Sequence, residues 1–410
     1  MNYRFVKVTT YYKNFLRYYY SKNPQVVQLS HNTQSDHLMS QAFGWSNFFQ
    51  IHLNKLGNEA HEIVSNADPL QTAWAKEHKL NLSGELLLLE QFKFIKPEVI
   101  FFQDSLSFSP AFISEIKRSV PSVKIMIGWC CSPFTKQQLE NFKHFDFVCT
   151  CSQGFIKAFE NIGIKAYRLN HAFESSLLTK IQRENNYAES DFIFIGSFIG
   201  TKDFHEERIK LIESLIRNKI NLSLYTNLPN DNLLYVLGQQ IGYSISQTLM
   251  RAGLENIALN LPLIQKTARL TGMPKRINYS NEFKQLANPT PLYGIEMFKA
   301  LSKSRIGFNS HGGVAGDFAA NVRMFEVTGV GSCLLTDHKK NIIDFFEPDK
   351  EIVTYKSANE CIEKVNWLLT YPNELKQIAD AGQKRTLRDH TFEKRAIELN
   401  EIITRELSKS

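Results

Sequence analysis

At 410 residues the chain is too long for one compact core and fits two domains of roughly 200 residues each. A hydrophobic fraction of 43%, with 30 Phe, 15 Tyr and 4 Trp, excludes wholesale disorder, and a net charge of +7 is too mild for a dedicated nucleic-acid binder. No uninterrupted apolar run approaches the roughly 18 to 20 residues of a membrane span, and the start of the chain lacks the apolar stretch of a secretory signal. These features lead us to expect a soluble, cytoplasmic protein.

The first 22 residues hold Arg4, Lys7, Lys13, Arg17 and Lys22, six tyrosines and no acid. Two readings stand side by side: a patch for an anionic lipid at the inner membrane face or for a phosphorylated acceptor, or a strand followed by a solvated helix face. Strand and helix patterns then alternate almost throughout, which predicts an α/β protein with parallel sheets. In the first half, strands are expected at 26–29, 62–64, 97–102, 123–127, 145–150 and 165–169. Helices are expected at 48–56, 86–94 and 111–120, giving a doubly wound half. Residues 170–190 are polar, without period, and form the expected hinge. A second series has strands at 191–196, 222–225, 306–309, 332–336 and 352–355. Its helices fall at 205–217, 321–328, 359–369 and 392–410, and a helical insertion occupies about 228–290. The six cysteines, at 130, 131, 149, 151, 333 and 361, contain no CxxC spacing, so buried free thiols are expected.

In open α/β sheets, ligands bind beyond the carboxyl ends of the strands, and this ranks the candidates. The densest cluster is Asn309, Ser310, His311, Gly312 and Gly313, then Gly316 and Asp317, then Asn321 to Gly331. Here a strand ends, a glycine-bearing loop crosses and a helix begins. A carboxylate at Glu326 suits the two hydroxyls of a ribose, and a guanidinium at Arg323 suits a diphosphate. The competing reading of Arg323 and Glu326 is a solvated i,i+3 pair. A second group, Gly196, Ser197 and Lys202, follows the first strand of the second half and suits phosphate oxygens, although an ordinary turn explains it equally well. A third group faces it from the first half: Asp36 and His37, Gln103 to Ser105, and Trp129 to Ser132. Asp104 is the best-placed general base of these, with an N-cap as its alternative. The absence of HExxH, GxSxG and GxGxxG motifs weighs against zinc hydrolase, serine hydrolase and dinucleotide oxidoreductase chemistry.

The run from Tyr293 to Asp337, with Asn309-Ser310-His311 and Arg323 to Gly331 inside it, resembles the C-terminal domain of bacterial GT-B glycosyltransferases. The nearest subgroup is the one called spore-maturation-protein-like or glycosyltransferase family 1-like. The similarity extends through Phe345 to Pro348 and Ala381 to Leu387, and in the first half through Leu56 to Ala60, Asn66 to Gln71 and Lys96 to Val99. The resemblance implies two Rossmann-like, doubly wound domains facing across a cleft. These would be an acceptor-side domain at 1–175 and a nucleotide-sugar domain at 176–390, with a C-terminal helix at 391–410 returning to the first domain. It further implies a nucleoside-diphosphate-sugar co-substrate, no obligatory metal and no other cofactor. Glu326 stands at the family's ribose-binding glutamate, with Gly329 and Gly331 matching the glycines behind it. Many retaining relatives carry another glutamate eight positions earlier, where this chain has Phe318.

The expected activity is therefore hexosyl transfer from a nucleotide sugar to a hydroxyl on a surface polysaccharide, lipid-linked glycan or protein. The donor site would comprise Glu326, Arg323, Gly329, Gly331, Asn309, Ser310, His311, Asp317, Asn321, Gly196, Ser197 and Lys202, with Asp104 or His37 assisting deprotonation. Two alternatives stand beside it: a catalytically silent nucleotide-sugar or glycan binder, and a nucleotide-sugar epimerase on the same fold.

Overall fold

The computed structural model describes residues 2–132, 134, 136–181, 189–198, 206–228, 232–268, 270, 272–311 and 316–409. Six strands form the first sheet: β1 (Arg4–Thr9), β2 (Glu59–Val64), β3 (Val99–Phe102), β4 (Ile125–Trp129), β5 (Phe147–Thr150) and β6 (Ala166–Arg168). They lie in the order β2-β1-β3-β4-β5-β6, all parallel, with Val6 opposite His61 on one side and Ile100 on the other. The second sheet holds β7 (Ser190–Ile195), β8 (Leu222–Tyr225), β9 (Ala287–Asn288), β10 (Ser304–Asn309), β11 (Cys333–Asp337) and β12 (Val353–Tyr355). Its order is β12-β11-β10-β7-β8-β9, again all parallel. Helices cover both faces of such sheets, so the inner strands are continuous apolar runs; all four residues of Val99–Phe102 are fully buried.

Several expectations change. Residues 26–29 are not a strand: Pro24 opens a 3-10 helix, Pro24–Gln28, in which Val26 alone is buried. The first strand is Arg4–Thr9, one in from the edge of the sheet, which puts Lys7 in the core, 2.9 Å from Glu62. Tyr3, Tyr11 and Tyr19 are buried too, so the N-terminus is a strand and helix rather than a continuous lipid-facing patch. The helix Pro372–Asp389 escaped the sequence reading because charge dominates its outward face. The thiols also differ from expectation. Strands β4 and β5 pair with Trp129 opposite Cys149, and continuing that register brings Cys131 against Cys151, which form a disulfide. Cys130, Cys149, Cys333 and Cys361 are free and buried.

The two lobes share one apolar core. The helix Phe392–Leu407 packs on the helix Phe48–Lys55 of the first lobe, and Tyr3 and Asn58 both donate to the Asn400 side chain, at 2.9 and 3.0 Å. Phe173, on the segment crossing between lobes, pairs with Thr391 and packs against Gly329. At Gly294 the second lobe meets the first so closely that a Cβ would fall 1.9 Å from the Gln41 carbonyl oxygen, and the backbone there has φ +51°. Glycine alone fits that crossing. Of the expected hinge, residues 182–188 lie outside the described residues.

Candidate functional site

Each sheet reverses its strand order once, and the carboxyl ends at those two points face one another. In the first sheet the point lies between β1 and β3; in the second, between β7 and β10. Between them lies a cavity of about 1140 Å³. Thr9, Thr10, Tyr12 and Gln103 line it from the first lobe, and Gly196, Ser197, Asn309, Ser310, Asn321, Arg323 and Glu326 from the second.

The floor of the second lobe is a charged pair. The helix Arg323–Gly329 starts at the cleft wall, with Asn321 Oδ1 accepting from the Arg323 amide at 2.9 Å. Arg323 Nη1 lies 2.9 Å from Glu326 Oε2, and its Nη2 donates to the carbonyl of Ile195, at the end of β7, at 3.2 Å. The pair is formed, but it is buried at the cleft rather than solvated. Glu326 is 8% exposed, and its Oε2 makes no hydrogen bond despite the close cation. Burial pushes its pKa up, and Arg323 opposes that shift. A buried carboxylate oxygen with unused lone pairs is a ready acceptor for ligand hydroxyls.

Arg208 ties the two loops together. It enters from the helix Glu206–Arg217, donates from Nη2 to the Ser310 carbonyl, and places Nη1 3.5 Å from the Ser197 carbonyl. Its guanidinium lies over the Phe194 ring, 5.8 Å from the centroid. Burial draws its pKa down while Asp337 pulls it up. Behind Ser310, Asp337 Oδ1 accepts from the His311 amide at 2.8 Å and contacts its Nδ1 at 2.7 Å. Burial alone would raise Asp337, but His311 and Lys339 outweigh it and hold the carboxyl at about 2.

Residues 259–401 match the family model described as Glycosyl transferase-like. None of the curated proteins matches the chain in sequence. Among solved structures, HepE from Anabaena in complex with UDP-glucose is similar at 10% identity, with TM-score 0.53, covering 98% of this chain and 100% of that one. A glycosyltransferase from Rickettsia africae is similar at 11% identity, TM-score 0.52, covering 100% of both chains. An alpha,alpha-trehalose 6-phosphate synthase from Burkholderia multivorans is similar at 10% identity, TM-score 0.53, also covering 100% of both. The fold is GT-B.

On the acceptor side, Gln103 reaches the cavity and accepts from Lys7 Nζ at 2.7 Å, linking the buried Lys7–Glu62 pair to the cleft. Asp104 is one step back, with Thr10 Oγ1 and Ser107 Oγ both donating to its Oδ2. Tyr12 lines the cleft from the first lobe and is largely exposed. Its hydroxyl pKa is raised first by the surrounding protein and then by the charges of Asp104 and Glu326, one on each lobe.

Other expected site residues lie elsewhere. His37 sits on the helix His31–Ser40, with Nδ1 2.8 Å from the Tyr19 hydroxyl, and does not line the cavity. Asp317 is exposed and paired with Lys340. Gly329 and Gly331 lie at the far end of their helix, where packing accounts for them: a Cβ on Gly329 would fall 2.3 Å from the Phe173 ring, and Gly331 has φ +85° beside Gln383. Lys202, Gly312 and Gly313 lie outside the described residues. Sequence reasoning missed Tyr12 and Arg208. The one available signal for Arg208 was its place on the helix directly after the glycine-bearing loop.

Among the described residues, one group of His, Cys, Asp or Glu clusters closely enough for a metal: Cys131, Cys151 and His171, within 4.8 Å. Its two sulfurs are joined in the disulfide, and none of the three lines the cavity. Trp45 Nε1 donates to His171 Nδ1 at 3.3 Å, and burial with the nearby Arg395 draws that histidine down to about 4.

Proposed function

We propose that the chain transfers a hexosyl group from a nucleoside-diphosphate sugar to a hydroxyl of a polysaccharide, lipid-linked glycan or protein, without an obligatory metal. Residues 176–390 supply the donor side and residues 1–175 the acceptor side. The observation that carries this reading is the buried Glu326 carboxylate beside Arg323 at the cleft floor. Glu326 accepts the ribose hydroxyls, and Arg323, with the loop amides after β7 and β10, faces the diphosphate. As the glycosidic bond breaks, charge grows on the leaving diphosphate, and fixed donors in a cleft partly screened from water stabilise it. Arg208 acts through the loops it holds rather than by contact.

The acceptor hydroxyl loses its proton toward the Thr10–Asp104 end of the first lobe, where Asp104 is the base and Tyr12 stands between it and the donor. UDP-glucose, bound by the similar HepE structure, is the first donor to try. The deciding experiment is a thermal-shift panel of UDP-, GDP-, TDP- and CMP-sugars, followed by mass spectrometry of products with cell-envelope acceptors. A donor that raises the melting midpoint and loses its sugar to an acceptor supports the reading. No shift with any nucleotide sugar defeats it.

A further inference from the structure

The helical insertion carries a surface that the proposed transfer reaction does not use. Residues 232–264 contain two charged side chains, Arg251 and Glu255. The helix Leu233–Arg251 buries Val236, Gly242 and Ser246 on one face, and a Cβ on Gly242 would lie 3.0 Å from Thr267 Oγ1. Its opposite face is apolar and open to solvent. Leu234, Leu237, Ile241 and Ile245 follow at three- and four-residue steps, so they form one stripe, with Leu234 79% and Ile241 62% exposed. Leu254, Ile257, Leu261 and Leu263 add further exposed apolar side chains on the neighbouring helix and turn, Leu263 at 91%. Isolated exposed leucines are ordinary, but this density within one insertion is not.

We infer that this face docks on an anionic lipid bilayer, lying in the plane of the interface. No described helix is long and apolar enough to cross a membrane, and an amphipathic helix within a cationic segment is the form that lies on one. The insertion is cationic: residues 232–278 hold five Lys or Arg against one Glu, and Arg251, at the end of the striped helix, and Lys266 are exposed, while Lys275 and Arg276 share a neighbouring pocket with Glu206, Glu213 and Glu282. The same charge argues against a second copy of the chain as occupant. A two-fold contact through this stripe would bring two positively charged insertions together, whereas anionic headgroups neutralise one. Tyr235, Val236 and Gln239, on the other side of the same helix, line the cleft, so docking would bring the cleft to within about one helix diameter, roughly 10 Å, of the headgroups; that last step alone rests on the proposed function.

The test is co-sedimentation of the full chain with vesicles of phosphatidylcholine alone or mixed with phosphatidylglycerol, at low and high salt. Binding to the mixed vesicles, weakened by salt, is expected. The double variant Ile241→Ser/Ile245→Ser should bind them about tenfold or more weakly, since two large apolar side chains no longer leave water. Arg251→Glu/Lys266→Glu should weaken binding about fivefold or more for each charge at low salt. Both variants lie on the surface, and an unchanged melting midpoint establishes that they fold. The inference is overturned if the chain stays in the supernatant with anionic vesicles, or if the serine variant binds them as well as the parent. It is equally overturned if sedimentation velocity shows a dimer that the serine variant dissolves, with no vesicle binding. Donor thermal shifts, measured on the same variants, report the proposed function separately.

Discussion

Arg208 and Ser310 are joined at the carboxyl edge of the second sheet, the guanidinium donating to a carbonyl of a residue that lines the cleft. The contact ties the end of β10 to the helix that follows β7. Arg208→Lys keeps the charge but loses the planar fork, leaving the Ser310 carbonyl poorly satisfied. The expected result is a loss of about 1 to 3 kcal/mol in stability. A raised donor KM should accompany it, with a smaller change in acceptor KM. Chemical unfolding and steady-state kinetics on the same preparation check both. A normal donor KM in the lysine variant would show that this bond is structural alone.

Glu326 gives a test at the ligand itself. Glu326→Ala removes a charged acceptor, worth about 1.5 to 3 kcal/mol in a hydrogen bond, and so should raise donor KM about ten- to hundredfold. The fold should survive, because the substitution also relieves the cost of a buried carboxylate and Arg323 keeps its bond to the Ile195 carbonyl. Since burial raises the pKa of Glu326, its charge is lost earlier on acidification than that of an ordinary glutamate. Donor affinity should therefore decline as pH falls toward the raised pKa, and the alanine variant should lack that limb in a binding titration.

The residues explain what sequence could reveal. Strands such as Val99–Phe102 are legible because both faces are buried, leaving an unbroken apolar run. The Arg4–Thr9 strand was harder to place, because Lys7 interrupts it and only the tertiary partner, Glu62, makes that lysine tolerable in a core. Glu326 and Arg323 were visible through their helical spacing, but spacing could not say whether the pair faced water or the cleft. Gly329 looked like part of a ligand loop, and its true neighbour, Phe173, lies far away in sequence. Cys131 and Cys151 meet only through the register of two strands, which no local pattern encodes.

The acid limb of stability should report Asp337. Its folded pKa is depressed from 3.8 to about 2, so its contribution is complete above 3.8 and disappears as pH falls through the folded value. The size of the effect is about 2 kcal/mol. The stability gap between parent and Asp337→Asn chains should therefore shrink by about that amount between about pH 4 and about pH 2. Urea unfolding at successive pH values measures it, and a constant gap would remove Asp337 as the source.

The Lys7–Glu62 pair calls for a double-mutant cycle. Both side chains are about 1% exposed, and burial moves each toward neutrality, lowering the lysine and raising the glutamate to about 8. Removing one partner strands the other in the core, so Lys7→Met and Glu62→Leu singly should each cost about 3 to 5 kcal/mol. The double variant should recover most of that loss, since replacing a buried pair with apolar groups is often neutral. Additive single effects would show that the ion pair is not what holds those residues there.

Gly329 separates packing from ligand binding. A methyl group at this position would meet the Phe173 ring at 2.3 Å, inside a core shared by both lobes, where neither partner has room to retreat. Gly329→Ala should therefore cost about 1 to 3 kcal/mol, the usual range for overpacking. Phe173→Leu in the same chain should restore part of it by clearing the ring. Donor affinity in the rescued double variant should match the parent, because position 329 is at the end of the helix away from the cleft. Isothermal calorimetry with the donor identified by thermal shift decides between the two roles: a large affinity loss that persists after stability is restored would return Gly329 to the binding site.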